Sequence, residues 1–298
     1  SSRRVVALCV GVRKDKFEKP GKRRGFGGEA GIMAQWTEET WQDIDDADMS
    51  RSIAICPLAA VEQHGPHLPL GTDCMIMEGY LARVIERLPR GLGVRFLPVL
   101  MIGTSNEHLA YPGTLTLQPE TLLRVLADIG DSVARSGCRK VIFVNSHGGN
   151  SAVIDIATRE LRIRHTMLAV GVSWQRFGYP DGLFSPGELE HGIHGGDIET
   201  SLMLAFRPEL VRHESIADFP SASIGMSRDN NWLSAGRPAG FGWMAQDLSA
   251  TGAMGDASLA SAEKGEACAD YGATAFIELL QDVESFDLAA LEIGPEGA

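Results

Sequence analysis

Histidines and carboxylates gather in a few short stretches of this chain. Of its eight histidines, all but His165 fall in stretches predicted as loops or element ends. The first cluster is Glu62-Gln63-His64-Gly65-Pro66-His67, with Asp73 following in Gly71-Thr72-Asp73. In an extended segment side chains alternate, so Glu62 and His64 point to one side and Gln63 to the other. A carboxylate and an imidazole converging in this way make half of a transition-metal site, and Asp73 can return to them across the Gly/Pro loop. The second cluster, Asn145-Ser146-His147-Gly148-Gly149-Asn150, follows a predicted strand directly. Its glycines let backbone approach a ligand, at the sheet edge where open α/β folds bind.

Glu190-His191-Gly192-Ile193-His194-Gly195-Gly196-Asp197-Ile198-Glu199 forms the third cluster. The fourth is Asn106-Glu107-His108 with Tyr111-Pro112-Gly113-Thr114, which reads as a wall or lid. Each has a plain reading alone. Glu-x-His occurs by chance, His-Gly-Gly-Asn is a turn in which Asn150 caps the next helix, and His194 and Glu199 are polar residues at a helix start. Several ligand types at successive strand ends have no structural reason to coincide, so together they predict one shared metal site. His165 is expected to face solvent.

The elements that must carry these residues are short strands alternating with amphipathic helices. Ile53–Leu58 reads as a buried strand, and Met77, Tyr80, Leu81, Val84, Ile85 and Leu88 lie on one helical face stopped by Pro89 and Gly91. Val94–Leu100 predicts a strand, and Leu122, Leu126, Ile129 and Val133 a helix that starts at Pro119 and ends at Gly137. Val141–Val144 and Met167–Val172 are further strands, separated by a helix bearing Ile154, Ala157 and Leu161. This alternation predicts parallel pairing with right-handed crossovers. Residues 215–256 are irregular, too long for a simple connection, and so a functional loop or a subunit contact. Residues 258–283 read as a closing helix.

Composition narrows the function classes. The 298 residues carry a net charge of −12, which disfavours nucleic acid and anionic membrane surfaces as partners. No apolar run approaches the ~18 residues of a membrane-spanning helix. The five cysteines form no C-x-x-C pair, which fits a reducing, cytoplasmic setting better than a disulfide framework. Residues 1–32 hold nine basic and three acidic side chains and read as a poorly ordered basic extension, with the catalytic domain over 33–298. A serine hydrolase is disfavoured by the lack of a Gly-x-Ser-x-Gly elbow, and phosphate cradling by the lack of a P-loop.

The motifs resemble the creatininase (creatinine amidohydrolase) family. The resemblance runs through residues 62–73 as Glu-Gln-His-Gly-Pro-His-Leu-Pro-Leu-Gly-Thr-Asp, then Tyr111–Thr114, His147–Asn150 and His194–Ser201. It implies a three-layer α/β/α fold with a mostly parallel sheet, often hexameric, holding two divalent ions (Zn²⁺, with Mn²⁺ or Fe²⁺ as further candidates). It implies Glu62, His64, Asp73, His147 and Glu199 as metal ligands, with Asp73 bridging, and His194 in proton transfer. The implied activity is hydrolysis of a non-peptide C–N bond in a small amide, such as creatinine or a related lactam or formamide, by a metal-activated water. Glu107, His108, Tyr111, Ser146, Gly148 and Gly149 are the candidate substrate contacts, the last two through their N–H groups. Creatinine-hydrolysing members carry a carboxylate at the position of Gly149 and a tryptophan at that of Glu190. The alternatives are a hydrolase of a non-amide ring bond, as in a sugar-like inosose, and a metal-holding subunit without chemistry.

Overall fold

In this computed structural model, which describes residues 33–291, five strands pair in parallel in the order β1-β3-β2-β4-β5. These are β1 (Met33–Gln35), β2 (Ile53–Leu58), β3 (Val94–Phe96), β4 (Lys140–Asn145) and β5 (Leu168–Ser173). The helices are α1 (Trp41–Asp46), α2 (Thr72–Arg87), α3 (Pro119–Arg135), α4 (Ser151–His165), α5 (Pro186–His191), α6 (Asp197–Phe206), α7 (Ser223–Asp229), α8 (Ala245–Leu248) and α9 (Ala262–Ser285). The assignment of residues 1–32 as a basic extension lies outside the described residues.

The sheet is covered on both faces, as the apolar runs of its strands require. Period-two alternation divides β2 and β4 between two cores. Ile53, Ile55, Ile142 and Val144 pack with α2, α6 and α9, while Ala54, Cys56, Val141 and Phe143 pack with α3 and α4. Residues such as Ile55 and Phe143 are fully buried, a burial that stabilises by roughly 1.5–3 kcal/mol per large side chain. The result is the expected three-layer α/β/α domain.

The strand order places a switch point at the centre of the sheet. From β2 the chain passes through α2 to β3 on one side, then through α3 to β4 on the other. The loops leaving the C-terminal ends of β2 and β4 therefore diverge around a crevice, the place where such sheets bind ligands.

Three local expectations need correction. The strand predicted over 94–100 ends at Phe96, because Pro98 has no N–H to continue the ladder; Leu97 and Leu100 still donate singly to Ile55 and Pro57 carbonyls. Helix α2 starts at Thr72, directly after the Gly/Pro loop, so Asp73 sits in its first turn. Asn150 stands before α4 but its side chain caps nothing. Its Oδ1 accepts from the N–H and Oγ1 of Thr104, and its Nδ2 donates to Ala59 O and Asn145 Oδ1, so the amide ties three loops together. His165, expected to face solvent, is half-buried, with Nε2 2.7 Å from Asp131 Oδ1. No helix among the described residues is long and apolar enough to cross a membrane.

Candidate metal centre

The predicted ligands come from four stretches of backbone: the loop after β2 (Glu62 and His64), the first turn of α2 (Asp73), the loop after β4 (His147) and the first turn of α6 (Glu199). After β2 the chain folds back on itself, with Glu62 N–H donating to Leu70 O at 2.9 Å and His64 bridging to Leu68. Gly65 makes that turn at φ +69, pressed so closely on Ala253 that a Cβ would lie 2.6 Å from its side chain. Thr72 closes the loop through Pro69 O, which starts α2 and turns Asp73 inward. His147 follows β4 and is braced by Asn145, whose Oδ1 accepts from its N–H and whose Nδ2 donates to its carbonyl. His194 and Met254 exchange two backbone hydrogen bonds, and Glu199 lies in the first turn of α6.

These turns bring together three overlapping ligand sets: Glu62, Asp73 and His147; His64, Asp73 and Glu199; and Glu62, His64 and His194. Asp73 belongs to the first two, with Oδ2 3.6 Å from His147 Nδ1 and Oδ1 3.8 Å from His64 Nε2. His147 Nδ1 is 3.2 Å from Glu62 Oε1, and His64 Nε2 is 3.7 Å from Glu199 Oε2. Both oxygens of Glu62, Nε2 of His64 and Oδ2 of Asp73 are buried without a hydrogen-bond partner. Leaving such groups unmade is costly, so a cluster of them facing one another fits divalent cations, whose ligands they would be.

The outer nitrogens of the rings strengthen this fit. His64 Nδ1 donates to Glu62 O at 3.1 Å, His147 Nε2 to Thr104 O at 2.7 Å and His194 Nε2 to Gln63 O at 2.5 Å. Carbonyls only accept, so these nitrogens bear hydrogen and a neutral ring keeps its lone pair on the inward side. Backbone-anchored imidazoles of this kind are the usual support of metal ligands. The carboxylates raise His64 to about 9 and His147 to about 10 against the opposing effect of burial. Burial and the neighbouring His64 lower His194 to about 4, so its ring is neutral near pH 7. Burial pushes Asp73 up to about 6, against the pull of His64.

The cluster forms the floor of a cavity of about 680 Å³. Glu107, His108, Ser146, Gly148 and Gly149, five of the expected substrate contacts, line it, with Trp174, Tyr179, Phe241 and Trp243 as aromatic walls. Ser146 also serves the scaffold, its Oγ donating to the carbonyls of Leu58 and Asp73. Tyr111 does not line this cavity. Its hydroxyl donates to Ser249 O at 3.1 Å, pinning its loop to residues 245–254. Glu190 is exposed on α5 and takes no part in the site.

Several supporting residues had no signal in the sequence. Glu188 is buried on α5 and accepts from the N–H groups of Ile198 and Asp256 at 3.3 and 3.1 Å. A Cβ at Gly196 would lie 2.3 Å from its carboxylate, which explains the second glycine of His194-Gly195-Gly196. Asp197, within the same motif, pairs with Lys264 and Ser201 and is turned away from the ligands. The irregular 215–256 segment backs the site through Met254 and Gly252, whose carbonyl accepts from Gln63.

Comparison with known proteins agrees with this architecture. The profile of the creatininase (creatinine amidohydrolase) family matches residues 37–280. The chain belongs to the creatininase family. Family relatives include a creatinine amidohydrolase of Pseudomonas putida, 32% identical over 204 residues, covering 63% of this chain and 77% of the relative. A mycofactocin precursor peptide peptidase of Mycobacterium ulcerans is 29% identical over 248 residues, covering 82% and 87%. A 3-dehydro-scyllo-inosose hydrolase of Thermotoga maritima is 28% identical over 254 residues, covering 78% and 79%. The solved structure "Creatininase Mn" superposes with a TM-score of 0.66 at 27% identity, covering 85% of this chain and 98% of that one. This creatininase-family hydrolase thus shares its fold with a creatininase described with manganese.

Proposed function

We propose that this creatininase-family protein is a metal-dependent amidohydrolase that cleaves a C–N bond of a small or mid-sized amide. The observation that carries the reading is the pair of ligand sets, Glu62/Asp73/His147 and His64/Asp73/Glu199, sharing the buried Asp73 beneath a cavity. Two divalent ions held there, Zn²⁺ with Mn²⁺ or Fe²⁺ as candidates, would polarise a carbonyl oxygen and lower the pKa of a water towards neutrality. The protein's own groups supply the rest. His194, neutral and held by Gln63 O, takes up a proton on Nδ1 and hands it to the leaving nitrogen, work that typically contributes about 10²–10⁴-fold. The backbone amides of Gly148 and Gly149 are assigned to the developing oxyanion, and Glu107 to an N–H of the substrate.

Cavity size and relatives broaden the substrate class beyond creatinine. A space of about 680 Å³ would hold roughly twenty waters at about 30 Å³ each, much more than one small lactam fills. A mycofactocin precursor peptide peptidase among the relatives favours a second reading, an amide within a peptide. The inosose hydrolase favours a third, a ring bond of a sugar-like molecule.

Metal content by plasma mass spectrometry, on protein purified without added metal or a histidine tag, tests the core of the reading. Close to two ions per chain, falling sharply in His147→Ala, is the expected result. A panel of lactams, formamides, cyclic ureides and short peptides then separates the substrate classes. No metal after reconstitution would overturn the mechanism.

A further inference from the structure

Four histidines surround Glu62 and its neighbours, and one of them is wired in reverse. The Gln63 amide is fixed by two backbone groups of known polarity: its Oε1 accepts from Gly65 N–H at 2.9 Å, and its Nε2 donates to Gly252 O at 3.1 Å. Gly252 can approach so closely because it has no side chain; a Cβ there would overlap the Gln63 amide at 2.1 Å. The remaining hydrogen of Gln63 Nε2 faces His108 Nδ1 at 2.7 Å. An amide nitrogen only donates, so Nδ1 of His108 must accept and carries no proton. A neutral imidazole has one N–H, which is therefore on Nε2, 3.3 Å from Glu62 Oε1.

His64, His147 and His194 have the opposite arrangement, each giving its outer N–H to a carbonyl and turning inward the nitrogen that a metal would claim. We infer that His108, locked by Gln63 in the Nε2–H form, is not a metal ligand but a positioning residue that turns an N–H towards Glu62 and helps hold that carboxylate ionised and oriented for the ions. Its burial at 2% exposure and its stacking on His194, with ring centroids 4.3 Å apart, keep the ring from rotating out of that role. Protonation of Nδ1 would set two donors against each other, so the same amide also bars His108 from serving as a base. Removing a hydrogen-bond partner of a metal ligand typically lowers metal affinity by about 10–100-fold.

The effect on Glu62 rests on the metal reading above; the tautomer does not. Long-range ¹H–¹⁵N correlation on histidine-labelled, metal-free protein reads the tautomer directly. The expected result is a proton on Nε2 and none on Nδ1 of His108, unchanged when Zn²⁺ is added, while the inward nitrogens of His64 and His147 shift. A proton on Nδ1, or loss of the Nε2 proton on adding Zn²⁺, would overturn the inference even if the protein binds two ions. Zn²⁺ titration by calorimetry gives the second arm: folded His108→Leu should bind about tenfold more weakly, and His108→Gln, which retains an N–H near the same place, within about threefold of the parent. Equal affinity in His108→Leu would remove the positioning role.

Discussion

Glu107 fills the space into which a side chain at Gly149 would project. A Cβ built on Gly149 would lie 2.6 Å from Glu107 Oε1, and also 2.5 Å from His147 Nε2 and 2.3 Å from Thr104 O. The last two atoms form the 2.7 Å hydrogen bond that orients His147. Gly149→Ala should therefore push this ring or its carbonyl partner aside. Metal affinity is expected to fall at least tenfold, with stability lower by about 1–3 kcal/mol. Calorimetric titration of Zn²⁺ and a thermal melt measure the two effects, and unchanged affinity would count against the steric argument.

His147 and His194 should separate by assay. His147→Ala removes a member of the Glu62/Asp73/His147 set, and metal content should drop. His194→Ala should keep most of its metal while turnover falls by about 10²–10⁴-fold. Metal loss in His194→Ala instead would promote the third set, Glu62/His64/His194, to a binding site.

Metal loading should depend steeply on pH. In the metal-free protein the surrounding carboxylates raise His64 to about 9 and His147 to about 10, which favours an extra proton on both rings at pH 7. An incoming cation must displace those protons, and affinity should weaken about tenfold per pH unit for each proton released as pH falls below that window. Both values are raised above the ordinary ~6.5. Their contribution to apo stability is thus complete below about 6.5 and lost as pH rises through about 9–10. Calorimetry in buffers of different ionisation enthalpy counts the protons. Zero release would contradict the assignment.

Glu188 should be a keystone of the His194 loop. Its carboxylate accepts from two partly buried backbone N–H groups, and an amide in its place offers one acceptor and turns a donor towards the other. Glu188→Gln should cost about 1–3 kcal/mol in a denaturant melt. It should lower kcat through His194 more than it lowers metal content. A variant with parental stability would show that the glycine-lined space around Glu188 tolerates either group.

What was legible in the sequence followed from local pattern. The stripe on α3, its Pro119 start, and the apolar runs of β2 and β4 each lie within a few residues, and the structure keeps them closely. The candidate ligands stood out because Glu62/His64 and His147 follow two of those strands, β2 and β4, and His194/Glu199 share one short run of histidines, glycines and carboxylates. Strand β1 was not, since three residues paired only with β3 leave no periodic signal. Gln63 and Glu188 escaped for a related reason: their partners, Gly252 and Asp256, are remote in the chain, and a polar residue's distant partner leaves no trace beside it. Asn150 was misread because a short polar residue before a helix resembles a cap, whereas here tertiary carbonyls and Thr104 claim its amide.

The central position of β2 also has a consequence for how the chain is made. Both neighbours of this strand, β3 and β4, come after it in sequence. While the protein is being synthesised, Ile53-Ala54-Ile55-Cys56 emerges with neither edge paired, and its second edge stays bare until residues 140–145 have appeared. An exposed apolar edge is a template for pairing with another chain, and slow parallel sheets prolong that exposure. The strand that leads into the metal site is therefore also where a nascent or destabilised molecule is most prone to aggregate.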